Sequence, residues 1–225
     1  MNSEANVSIP RCGQRSGALR VLGGMQSWRL ATWRNHPAAA EELFVDARFD
    51  DVIPRVVEAD GVVSMSYGMW DGWWRRQHAH VQLSEALPWT LEINGGVQHL
   101  RADLRNCSLR ALSIGGGVQD VVLELGDPRG VVPIEIRGGA AHLTIMRPKG
   151  SAVVVRLRGG VHDLQLDRTA LGSVGGGIVW QSHDEARDRY ELQIGGGAVH
   201  LVIGNSSAAC SAPDLDGAAS LVACF

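Results

Sequence analysis

The chain has 225 residues, 45% of them hydrophobic and 20% charged, enough for one sizeable core and incompatible with wholesale disorder. A formal net charge of −3 argues against a protein built to grip nucleic acid. No stretch approaches the ~18 apolar residues of a membrane helix, and Glu4, Arg11, Arg15 and Arg20 occupy the place of a secretion signal's apolar core, so a cytoplasmic protein is expected.

Residues 1–40 read as a leader, partly disordered or capping, in which His36-Pro37 could start one short helix. Strand-like sequence begins at residue 43. Val56-Val57 and Val62-Val63 flank Asp60-Gly61, the residue pair that a tight hairpin turn favours. Residues 41–90 are read as entry rungs of a stacked-strand fold. They contain an aromatic, basic cluster: Trp70, Trp73, Trp74, Arg75, Arg76, His78 and His80.

Residues 91–204 are governed by a repeat. Five segments align on a glycine pair: LEINGGVQHLRADL from Leu91, LSIGGGVQDVVLEL from Leu112, IEIRGGAAHLTIMR from Ile134, VRLRGGVHDLQLDR from Val155 and LQIGGGAVHLVIGN from Leu192. The residues two before the pair are Ile93, Ile114, Ile136, Leu157 and Ile194, spaced 21, 22, 21 and 37 apart. The long gap holds a degenerate copy at Gly175-Gly176-Gly177, read as one extra, shorter turn. Five columns around the glycines are apolar at all 25 positions, and they alternate along the chain. Alternation means strands.

A unit of about 21 residues cannot bury its own apolar face. Successive copies must stack about 4.8 Å apart, with glycines at corners where φ is positive or backbones crowd. The expected fold is all-β: a single-domain β-solenoid (β-helix) over residues 41–204, with a small-residue tail at 205–225.

The runs LPWTLEINGGVQHLRADL, IEIRGGAAHLTIMRPKGSAVVVRLRGGVHDLQLD and RYELQIGGGAVHLVIG resemble toast-rack β-solenoid domains. Such domains occur in candidate bacterial adhesins and in cell-wall-active-antibiotic response proteins. The likeness is closer still to small soluble actinobacterial proteins, and it covers residues 43–204. It implies a fold. It carries over no catalytic residue, because its repeated positions are core and corner.

The polar column three residues after the glycine pair reads His99, Asp120, His142, Asp163, then Trp180 in the degenerate copy, then His200. Stacked in sequence, these would form an alternating His–Asp ladder with neighbours about 5 Å apart. One reading is a solvated ladder of ion pairs. The other is a site for acid–base chemistry, with His142 as base, Asp120 and Asp163 orienting it, and His99 beside them. Trp70, Trp73, Trp74 and Trp180 with His78 and His80 could wall a ligand pocket, or plug an open end of the stack. His78 and His80 lack a third ligand, and Cys12, Cys107, Cys210 and Cys224 form no C-x-x-C pair, so neither metal nor cofactor is expected.

The leading functional reading is a non-catalytic binding or scaffold protein of the bacterial cytoplasm. It would hold a protein partner or a small apolar ligand, and open ends would favour self-association. The alternative is a cofactor-independent isomerase, cyclase or lyase acting on a small apolar metabolite.

Overall fold

The computed structural model describes residues 4–33, 43–50, 52–67, 78–182 and 186–206, and all regular structure among them is β. The chain opens with β1 (Glu4–Pro10), then β2 (Gly17–Leu22) and β3 (Met25–Thr32). β4 (Leu43–Asp50), β5 (Arg55–Ala59), β6 (Val62–Ser66) and β7 (His78–Leu83) follow. Next come pairs joined by glycine corners: β8 (Pro88–Ile93) with β9 (Val97–Leu104), and β10 (Ser108–Ile114) with β11 (Val118–Leu125). The same pattern joins β12 (Val131–Ile136) to β13 (Ala140–Pro148), and β14 (Ala152–Leu157) to β15 (Val161–Leu166). β16 (Thr169–Val174) and β17 (Ile178–Gln181) fold back before a last rung of β18 (Arg189–Ile194) and β19 (Ala198–Ser206).

Two sheets face each other. One runs β1-β4-β7-β3-β9-β11-β13-β19-β15-β16 and the other β17-β14-β18-β12-β10-β8-β2-β6-β5. Each repeat contributes one strand to each sheet, and equivalent residues pair in parallel, as Leu112 with Ile134 and Val121 with Leu143. The alternating apolar columns point between the sheets: Ile114, Val121, Leu123, Ile136, Leu143, Val155, Leu164, Ile194 and Ile203 are all 0% exposed. Trp89 and Phe44 stack at 4.8 Å near the N-terminal end of this core, and Trp28 packs edge-on against Phe49 and Tyr67. The Trp89 indole donates to the Ser84 carbonyl oxygen at 2.8 Å.

The repeats form the expected rungs, but not in chain order. β18 and β19 slot between β12/β13 and β14/β15, and β2 and β3 slot between β6/β7 and β8/β9. The first of these insertions reorders the predicted ladder. The second gives residues 17–32, assigned above to the leader, a full rung of their own. Its sequence obeys the repeat: Leu19, Val21, Gly23-Gly24, Met25, Trp28 and Leu30 occupy the apolar and corner columns.

The physical reason lies at the ends. Antiparallel strands close both stacks, with β1, β4 and β5 at one end and β16 and β17 at the other. Chain segments that must follow or precede these caps can enter only one rung further in. Asp60 (φ 52°) and Gly61 (φ 79°) form the predicted two-residue hairpin between β5 and β6. The degenerate corner at Gly175–Gly177 leads from β16 back to β17, so it is crossed in the opposite direction to the other corners. The predicted helix start at His36-Pro37 lies outside the described residues.

Candidate functional site

The column three residues after the glycines has one backbone conformation throughout. Ser27, His99, Asp120, His142, Asp163 and His200 all have φ between 52° and 59°. Strand pairing skips these residues, going from Gln98↔Gln119 directly to Leu100↔Val121, so each is an aligned bulge. Left-handed backbone is costly for most L-residues, and Asp and His are among those that tolerate it best. The bulge therefore accounts for the Asp/His composition without any chemistry. Replacing His142 with Asn or Gly is expected to leave stability nearly unchanged, whereas His142→Val should cost about 1–2 kcal/mol. Equal melting behaviour of the three variants would refute this account.

Because β19 enters between β13 and β15, the spatial order is Ser27, His99, Asp120, His142, His200, Asp163. The ladder does not alternate as predicted. His99 Nδ1 is 3.4 Å from the Asp120 carboxylate, and His200 Nδ1 is 2.5 Å from that of Asp163. His142 and His200 are direct neighbours, with ring centroids 5.3 Å apart. Asp163 is thus brought to His200, not His142. The His99 and His200 side chains are 50% and 48% exposed, so water screens these pairs and each is worth at most about 1 kcal/mol.

Trp180 leaves the column altogether. It sits on β17 in the other sheet, opposite Val155, because the chain has reversed at the end of the stack. Partly buried, it packs against the core. Trp70, Trp73 and Trp74 lie outside the described residues. His78 and His80 do share one face of β7, as their spacing predicts.

The concavities do not involve the ladder. An open trough of about 870 Å³ follows the glycine corners, with Gln26, Gln98 and Gln119 along its rim. Another, of about 860 Å³, lies at the rung turns and includes Arg110 and Arg129. Cys107 beside it is buried, and burial pushes its thiol up to about 12, so it is no nucleophile at neutral pH. Among the described residues no three metal-ligating side chains are grouped. Arg137 and Arg156 lie 3.7 Å from Glu135 and Glu191, the internal pairing that their neighbourhood suggests.

One feature of the outer face escaped the sequence reading. Register places Arg48, His80, Arg29 and Arg101 side by side on β4, β7, β3 and β9. All four are exposed. Arg48 reaches Glu4 at 3.4 Å and Asn6 at 3.2 Å, but Arg29 and Arg101 have no hydrogen-bond or ion-pair partner among the described residues. Partial burial, then Arg29 and Arg48, push the His80 imidazole below its ordinary pKa, against a smaller opposing pull from Asp46.

These two facing sheets of stacked glycine-cornered rungs match known proteins. A family model described as "N-terminal domain of toast_rack, DUF2154" matches residues 61–146. The fold is of the toast-rack type. A candidate cell adhesion protein from Clostridium sporogenes has a similar solved structure, with TM-score 0.68 and 17% identity over 92% of this chain and 100% of that one. At that identity the likeness establishes the toast-rack fold alone. A candidate adhesin from Bacteroides fragilis aligns over 92% of this chain and 97% of its own, at 7% identity and TM-score 0.28. No curated protein matches the chain.

Proposed function

We propose that this toast-rack domain is a non-catalytic binding protein that presents the outer face of its ten-stranded sheet to a partner. The observation that carries the reading is the solvated ladder. Its His and Asp residues follow a backbone rule, lie open to water and line neither trough. An acid–base enzyme needs the opposite: a catalytic pair in an enclosed site that excludes water. Similarity to a candidate cell adhesion protein is consistent with binding. A cytoplasmic location belongs to the proposal as an expectation from the sequence; no helix among the described residues is long and apolar enough to cross a membrane.

Native mass spectrometry of protein from its own host tests this. A clean chain mass, as monomer or oligomer, is expected. A stoichiometric small-molecule adduct lost in a His142→Asn/His200→Asn variant would overturn it.

Self-association is part of the same reading. β16 and β17 are edge strands without a single charged residue, and Leu171 and Val179 on them are 44% and 68% exposed. The opposite edges carry Glu4, Pro10, Arg55 and Glu58, residues that discourage edge pairing. Sedimentation at rising concentration should show dimers that Val179→Lys abolishes. A wild type that stays monomeric throughout would contradict this.

A further inference from the structure

The basic side chains of the outer face lie in single file. Four adjacent strands, β4, β7, β3 and β9, put Arg48, His80, Arg29 and Arg101 at one level, about 4.8 Å apart. Like charges directly opposite one another on a sheet are destabilising. Among the described residues Arg29 and Arg101 have no ion-pair partner to relieve this.

Two residues along each strand, roughly 6–7 Å away, runs a second row. It consists of Asp46, Gln82, Ala31 and Asp103, continued by Glu124 on β11. Asp46 accepts from Ser8, and Asp103 and Glu124 are engaged by Arg105. The face is therefore cationic along one line and carboxylate-bearing along the next.

Resting on the binding reading above, we propose that this double row is the docking surface for an extended acidic polysaccharide. Its charged groups would lie along the arginines, and its hydroxyls would donate to the carboxylate row. The second row is what selects a glycan. A polymer charged on all sides, such as polyphosphate or a nucleic acid, would meet Asp46, Asp103 and Glu124 with like charge. A glycan bearing one anionic group per unit keeps neutral hydroxyls for that side, and carboxylates accept hydrogen bonds from them. A pyranose unit is also about as long as one strand spacing, so a chain crossing the strands meets the cations in step.

His80 adds a pH dependence. It is faced by Arg29 on β3, by Arg48, Asp46 and Asp50 on β4, and by its own strand neighbour His78. An anion laid along the row would favour its protonated form, so binding should tighten as pH falls from 8 towards 6. His80→Asn should remove most of that gain.

The test is a binding titration at low ionic strength with labelled polygalacturonate and iota-carrageenan, each with about one anionic group per sugar, and with neutral dextran as blank. Arg29→Gln/Arg101→Gln removes charge from exposed side chains; Arg110→Gln/Arg129→Gln does the same at the rung turns. Expected are salt-sensitive binding of an anionic glycan, about tenfold weaker binding by the first variant, and no change in the second. Binding of one glycan but not the other assigns carboxylate or sulfate as the recognised group. No binding of either, or equal losses in both variants, overturns the proposal. Polyphosphate or an acidic peptide binding through Arg29 and Arg101 while both glycans fail would overturn the glycan assignment and leave the binding face intact.

Discussion

Arg147→Ala is expected to destabilise the fold by about 3–5 kcal/mol, read as a lower urea midpoint at unchanged slope. Arg147 is 1% exposed, the only charged residue so deeply buried among those described. Its guanidinium makes a two-pronged contact with Asp167, at 2.7 and 2.9 Å. It also donates to the carbonyl oxygens of Ser151 and Gly204, at 3.0 and 3.1 Å. These partners come from the turn after β13, the turn after β15, and β19. One side chain thus joins the inserted last rung to both rungs between which it lies. Asn205 donates to the same Asp167 carboxylate, and the Ser206 hydroxyl to the Arg147 carbonyl oxygen.

Removing the guanidinium leaves Asp167 without its cation and takes a charged donor from two carbonyl groups, which is why the cost exceeds that of a surface pair. Asp167→Asn is the companion change. Asp167 has φ 51°, which Asn tolerates, so backbone strain does not contaminate the comparison. The double variant should lose less than the sum of the single losses, because each single change strands the other partner. A loss below about 1 kcal/mol for Arg147→Ala would mean that the last rung is held by its apolar columns alone.

The rung itself was legible in the sequence because its logic is local. Ile114, Ile136 and Ile194 recur at fixed distance from glycines, and alternation assigns them inward whatever the stacking order. The order was not legible. Nothing near Tyr190 announces that its strand will lie between those of Val132 and Val153; that follows from where the caps leave room. The Tyr190 hydroxyl, buried and donating to the Gly126 carbonyl oxygen at 2.8 Å, makes sense only once the rung is in place.

The first rung was readable in principle, yet Trp28 stands where later copies carry Leu or Val, and Ser27 where they carry His or Asp. The ladder shows a different limit. The His/Asp column was visible, and its composition was itself a backbone signal, since both residues suit a left-handed bulge. The arginine row depends wholly on β3 lying between β7 and β9, so no linear pattern contains it.

Gly138→Ala is expected to cost about 3 kcal/mol, while Gly175→Ala should change stability by less than about 0.5 kcal/mol. The two glycines belong to the same sequence motif, so the contrast isolates what the stack requires. Neither has a left-handed φ, so conformational freedom is not the reason for glycine at either position. At Gly138 an added Cβ would lie 2.5 Å from the Gly117 nitrogen and 2.7 Å from two further backbone atoms of the adjacent corner. Backbone cannot swing aside as a side chain can. The rungs would have to part, straining the hydrogen bonds from Gly138 N to the Gly116 carbonyl oxygen and from Gly196 N to that of Gly138, at 3.0 and 2.9 Å. Losing two such bonds with the associated packing accounts for the expected cost. Gly175 sits in the reversed corner at the end of the stack, where a Cβ meets nothing within 4 Å. Thermal melts of the two variants decide the matter. Equal losses would show that corner glycines serve the turn itself. A selective loss at Gly138 would show that they serve the contact between rungs, which lets this fold repeat.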